Sequence, residues 1–153
     1  MKKINLSHRV ILIISLAAAA FFYTININRT QIGFINDDAH YVNAARWLAG
    51  TQTIQKRLNE FPLGYPLILT PAAKLFPQSL IIFKIFNIFL FLMMIPVLFG
   101  IFKNYLTKKE LLFFLVLISL NPMTVSRSSL VMSDGAFLLI SLIAFYFIRK
   151  SIT

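Results

Sequence analysis

Of the 153 residues, 58% are hydrophobic and only 13% charged, against about a quarter charged in an ordinary soluble domain; the polar residues stand in short blocks between apolar runs too long for strands, which leaves the bilayer as their solvent. A formal net charge of +10 does not point to nucleic acid, because Lys and Arg flank the apolar runs and no basic helix or aromatic stacking platform stands apart from them. With no Cys, disulfides and thiolate metal sites are excluded.

The pattern predicts an all-α polytopic membrane protein: one membrane domain with about four transmembrane helices and a long outer loop that contains short interfacial helices. The first apolar run, 10–27, follows Lys2, Lys3 and Arg9, which also suits a cleaved signal peptide. A cleavage site should follow the apolar region, but the small residues Ala17 to Ala20 lie inside it and are followed by Phe21, Phe22 and Tyr23. An uncleaved signal anchor is the better reading.

The loop 28–79 comes next and holds most of the chemistry. Tyr41, Ala44, Ala45 and Leu48 recur at the i, i+3, i+4, i+7 spacing of an amphipathic helix, with Asn36 as N-cap and Gly50 as terminator. The apolar stripe of that helix faces lipid or the other helices. Asp37 and Asp38 fall in its first turn, where the macrodipole favours acids without any catalytic role. The functional alternative is that the helix N-terminus keeps a carboxylate ionised just outside the bilayer, ready to take a proton from a hydroxyl. Spacing leaves both readings open. His40 lies nearby, so a divalent cation is the one cofactor the sequence leaves open, although D-D-x-H matches no strong metal signature.

Between 60 and 77, Pro62, Pro66, Pro71 and Pro77 argue against a long regular helix and for short interfacial helices separated by turns, with Pro66 at a first helical position. Tyr65 and Trp47 suit the headgroup belt. The second span, 80–102, carries Lys84 and Asn87 near its start and Pro96 further on. Lys84 either snorkels to the outer interface or presents a cation to a lipid phosphate. The third span, 111–125, is interrupted by Asn121-Pro122, and the fourth, 130–148, ends in Arg149-Lys150. These two short spans have a single broken re-entrant hairpin as their alternative. Asp134 at the mouth of the fourth is a functional candidate by its depth or a helix-start acid, with Ser133 or itself as the cap.

Basic residues set the orientation. Lys2, Lys3 and Arg9, then Lys103, Lys108 and Lys109, then Arg149 and Lys150 share one side if there are four spans. The positive-inside rule makes that side cytoplasmic, with both termini inside and the 28–79 loop and the turn around Arg127 outside. Asp37, Asp38, Glu60 and Asp134 are then outer and Glu110 inner. A plasma or inner membrane is the expected location.

Three stretches in this order, D-D-A-H-Y-V-N-A-A-R-W-L-A-G from Asp37, F-P-L-G-Y-P-L-I-L from Phe61 and R-S-S-L-V-M-S-D-G-A-F-L-L-I from Arg127, resemble the start of a GT-C superfamily glycosyltransferase of the protein O-mannosyltransferase and aminoarabinose-transferase-like group. The resemblance implies an inverting enzyme that takes a sugar from a polyprenyl-phosphate carrier at the outer membrane face. It gives Asp37 the role of base toward the acceptor hydroxyl, with Asp38 as the second acid of the pair, and has Asp134 position the acceptor or a metal ion. Relatives carry a Lys or His just before a proline pair; here the place reads Asn59-Glu60-Phe61-Pro62, and Lys56, Arg57 and Lys84 are the candidates to meet the phosphate. Tyr65, His40 and Arg127 complete the expected substrate-binding set. Family members have more spans, so the chain looks like the N-terminal portion, with a second chain able to supply the missing helices. The rival reading is a small four-span carrier or accessory protein for lipid-linked sugars; a third is an inactive remnant.

Overall fold

The structure, a computed structural model, describes residues 7–28, 31–33, 37–53 and 62–152. Among these residues every regular element is a helix: α1 His8–Thr24, α2 Asp37–Leu48, α3 Gly64–Leu75, α4 Ile81–Phe102, α5 Lys108–Leu120, α6 Pro122–Ser128 and α7 Ser133–Ile152.

Two helices, α4 and α7, are long and apolar enough to cross a membrane, and a third span results if α5 and α6 are one broken segment. The 22 residues of α4 reach about 33 Å, enough for the hydrocarbon core. Helix α1 has 17 residues and reaches about 25 Å, one turn short of a comfortable crossing. It starts where the Ser7 hydroxyl accepts from Val10 N at 3.3 Å.

The expected third span bends by 55° between α5 and α6. The cause is local: Pro122 has no N–H to continue the ladder, and Asn121 caps the new helix by accepting from Met123 N at 2.9 Å. At its other end α5 opens on a reciprocal cap, Thr107 N donating to Glu110 Oε2 at 2.8 Å and Glu110 N to Thr107 Oγ1 at 3.4 Å. Helix α7 begins at Ser133, not at 130; Leu130 and Val131 are buried in the preceding turn.

The proline-rich stretch differs from expectation. Instead of short helices separated by turns, α3 is one helix of 12 residues with Pro71 inside it and Pro66 in its first turn. Pro71 stands on the exposed face, so its ring meets no neighbouring element, and the Thr70 hydroxyl donates to Pro66 O at 2.9 Å. Pro62 and Pro77 lie outside the helix, as prolines at helix boundaries do.

Helices α2 and α3 pack on each other and α3 on α4, burying Tyr41, Val42 and Ala45 with Tyr65, Leu69 and Ala73 in the main core beside Tyr23, Phe83, Phe91 and Ile95. The apolar stripe of α2 thus faces helices. A second cluster of Ile11, Leu98, Leu111 and Leu115 joins α1, α4 and α5. Two buried serine hydroxyls bond within their own helices: Ser15 donates to Ile11 O and Ser119 to Leu115 O. Such small polar residues let membrane helices approach closely.

Helices α4 and α7 interlock through two glycines. Phe91 of α4 lies over Gly135 of α7, and Tyr146 of α7 lies over Gly100 of α4. A Cβ at Gly135 would stand 2.5 Å from Phe91 Cε2, and Phe91 is itself buried. Gly135→Ala is therefore expected to destabilise the bundle by about 1–3 kcal/mol through overpacking. Thermal unfolding in detergent checks this, with Gly64→Ala, where a Cβ meets nothing within 4 Å, as the control that should change little.

Four basic side chains gather at one end of the bundle. The His8 ring sits edge-on to Phe99 at 5.8 Å, and Arg149 donates to Ile101 O, so the start of α1 and the ends of α4 and α7 share one end. Arg9, Lys103, Arg149 and Lys150 are there. The acids Asp37, Asp38 and Asp134 begin α2 and α7 at the opposite end.

Candidate functional site

The acidic end is built on Asn87, a fully buried amide in the second turn of α4. Its Oδ1 accepts from the Tyr65 hydroxyl at 3.0 Å. Its Nδ2 faces three carbonyls, Arg127 O at 3.1 Å, Ser128 O at 2.9 Å and Leu130 O at 2.6 Å. The last carbonyls of a helix lack partners within it; here Leu130 N meets Arg127 O and Met132 N meets Leu130 O, and Asn87 adds its amide to them and to Ser128 O from the side. Tyr65 also stands edge-on to Tyr41 at 5.2 Å between ring centres, and the Tyr41 hydroxyl lies 3.2 Å from Ser133 Oγ. A polar chain thus ties α2, α3, α4, α6 and the start of α7 together. Burial, with the Tyr41 phenol and the Asp134 carboxylate adding, pushes the Tyr65 phenol up, so it remains a donor to Asn87.

The acidic pair divides into two environments. Asp38 is 1% exposed; its Oδ1 accepts from Gly33 N at 2.8 Å and Ala39 N at 2.7 Å, while Oδ2 is buried without a hydrogen bond. Gly33 itself has φ +102°, a left-handed conformation that suits glycine and lets its N–H turn to the carboxylate. Asp37, one turn before Tyr41, is half-buried.

Lys84 holds its ammonium within the protein. It is 8% exposed, and its Nζ donates to Ile27 O past the end of α1 at 2.8 Å, while the Asp38 carboxylate acts on it electrostatically. A buried ammonium needs such partners, and the short path from α4 to the end of α1 offers them where water does not. Replacing Lys84 by Met should cost about 1–3 kcal/mol by leaving Ile27 O unmet. Adding Asp38→Asn should then recover part of the loss, since the neutral amide still accepts from Gly33 N and no longer lacks a cation. A double-mutant cycle by unfolding in mixed micelles is expected to give a coupling of about 1 kcal/mol; strictly additive effects would show that the two groups do not act on each other.

Arg127 and Asp134 meet across the turn between α6 and α7, Nη1 to Oδ2 at 3.5 Å, with the side chains 33% and 57% exposed. An exposed pair of this kind contributes little to stability. It does, however, line a cleft of about 250 Å³ with Thr124, Phe91, Met123 and Leu138. The cleft combines one cation, one carboxylate and an apolar wall.

Of the residues singled out in the sequence, Asp38, Lys84, Tyr65, Arg127 and Asp134 are gathered at this end, together with Asp37 and the half-buried His40 on α2. Lys56 and Arg57 lie outside the described residues. No group of three or more His, Cys, Asp or Glu able to hold a metal ion occurs among the described residues. The central role of Asn87 and the Tyr41–Ser133 link were not apparent from the sequence. An amide inside an otherwise apolar run was the available signal, since a buried polar side chain there must find partners. Comparison with family models, with curated proteins and with solved structures gives no match to this chain.

Proposed function

We propose that this chain provides the N-terminal helices of an inverting glycosyltransferase that moves a sugar from a polyprenyl-phosphate carrier to an acceptor hydroxyl. In this reading α1, α4, the bent α5–α6 pair and α7 cross the membrane, with the basic end in the cytoplasm and the acidic end outside. The observation that carries the reading is the Arg127–Asp134 cleft, where a cation stands beside the apolar wall of Phe91, Met123 and Leu138. A polyprenyl phosphate has the matching parts, an anionic head on an apolar chain.

The chemistry needs two functions. A carboxylate takes the proton of the acceptor hydroxyl as its oxygen bonds to the sugar's anomeric carbon. The bond from that carbon to the phosphate oxygen breaks on the opposite face, and the polyprenyl phosphate leaves with the electron pair, stabilised by a cation. Asp37, the more accessible member of the pair, takes the base role. Asp38, held by two backbone N–H groups, positions the start of α2. Arg127 meets the departing phosphate and Asp134 orients Arg127 and the acceptor.

The test uses membranes from cells with and without the chain, supplied with polyprenyl-phosphate hexoses labelled in the sugar. Transfer of label to an acceptor, lost when the chain is removed, supports the proposal. Label that crosses the membrane yet stays on its lipid in a chain-dependent way would replace it with the carrier reading.

A further inference from the structure

The opposite, basic end holds a second feature. Gly100, Lys103, Asn104, Tyr146, Arg149 and Lys150 surround a cavity of about 220 Å³ where α4 and α7 end. Directly beside it, Pro96, Val97, Gly100, Ile143, Tyr146 and Phe147 line an apolar groove of about 390 Å³ between the same two helices. Gly100 and Tyr146 belong to both, so the cavity and the groove adjoin. They meet at the Gly100–Tyr146 contact, where a Cβ on Gly100 would lie 3.2 Å from Tyr146 Cε2 and push the ring that borders both.

The three cations have unequal roles. Arg149 is engaged by the protein, donating to Ile101 O and lying 3.9 Å over the Tyr105 ring. Lys103 and Lys150 are exposed and have no acidic partner among the described residues. The nearest acid in chain order, Glu110, is occupied by Thr107. Cations at the ends of helices are favoured by the helix dipole, which accounts for their presence. It does not account for a polar cavity with Asn104 as a further donor, adjoining an apolar groove that runs toward the middle of α4.

We infer that this cavity and groove bind one anionic phospholipid, its phosphate between Lys103, Asn104 and Lys150 and one acyl chain along Pro96, Val97, Ile143 and Phe147. Charge complementarity selects the headgroup, since basic pockets between membrane helices recognise anionic lipids, and the groove requires a chain, which a free phosphate lacks. The site is at the far end from the proposed transfer chemistry and stands without it.

The experiment is native mass spectrometry of the purified chain released from detergent, titrated with phosphatidylglycerol or phosphatidylcholine of the same acyl chains. One phosphatidylglycerol should be retained about tenfold or more in preference to phosphatidylcholine. The double substitution Lys103→Gln with Lys150→Gln should abolish the preference while the protein keeps its melting temperature, both side chains being exposed. Gly100→Val should weaken binding of phosphatidylglycerol by narrowing the groove; Lys150→Gln alone, expected to lower the preference several-fold, serves if the glycine variant fails to fold. Equal retention of both lipids, an unchanged preference in the double variant, or complete displacement by millimolar inorganic phosphate would overturn the inference.

Discussion

Asp37→Asn is expected to lower sugar transfer by about 10²–10⁴-fold, the range removed with a general base. The substitution keeps shape and hydrogen-bonding capacity but cannot accept the proton. Its structural cost should be small, because an acid in a first helical turn contributes only about 0.3–1 kcal/mol through the helix dipole, and Asp37 is not sealed in the core. Expression and melting temperature should therefore stay near those of the unaltered protein. The loss should fall on turnover rather than on binding of the donor lipid, which Arg127 and the apolar wall are proposed to supply. Asp134→Asn should behave differently, weakening donor affinity by loosening Arg127. Undiminished turnover in Asp37→Asn would remove that residue from the chemistry and leave its acid as a helix-start charge.

The second large effect is on folding. Asn87→Leu is expected to cost about 3–5 kcal/mol, at the upper end for single substitutions. Leucine has as many side-chain heavy atoms and is somewhat larger, so no cavity forms; most of the cost is polar. Ser128 O loses its amide donor and the Tyr65 hydroxyl its acceptor, each unmet group costing about 1–3 kcal/mol, while Arg127 O and Leu130 O are left with only the N–H groups of Leu130 and Met132. Tyr65→Phe removes only one of these bonds and should cost about 1 kcal/mol. Unfolding in mixed micelles measures both. If Asn87→Leu came within 1 kcal/mol of the parent, water would have to reach those carbonyls and the amide would not be what joins α3, α4 and α6.

The legible parts of this fold are those set by neighbours in sequence. The apolar run at 80–102 became α4 with only its start moved by one residue, and the spacing of Tyr41, Ala44, Ala45 and Leu48 became α2, ended at Gly50 with φ +71°. Asn121-Pro122 broke the helix as its chemistry requires. Four prolines between 62 and 77 misled because only Pro71 stands well inside α3, on its exposed face, while the others occupy its first turn or its borders. The partner of Lys84 is hidden from sequence, because Ile27 O comes from 57 residues away. The same distance hid Asn87, whose partners lie 22 to 43 residues off. Within the acidic pair, sequence could not separate Asp37 from Asp38. The difference arises from Gly33, whose N–H approaches Asp38 from a turn of unusual geometry.

The two glycine contacts between α4 and α7 have a mechanical consequence. Each helix carries one ring that fills the gap left by a glycine on the other, Phe91 over Gly135 and Tyr146 over Gly100. A slide of one helical turn, about 5.4 Å, would bring both rings against positions that carry side chains. Axial travel is therefore blocked in both directions, while a small rocking about the contact is not. The pair behaves as a strut with its teeth engaged. The start of α7, where Asp134 stands beside Arg127, is thereby held in register with α4.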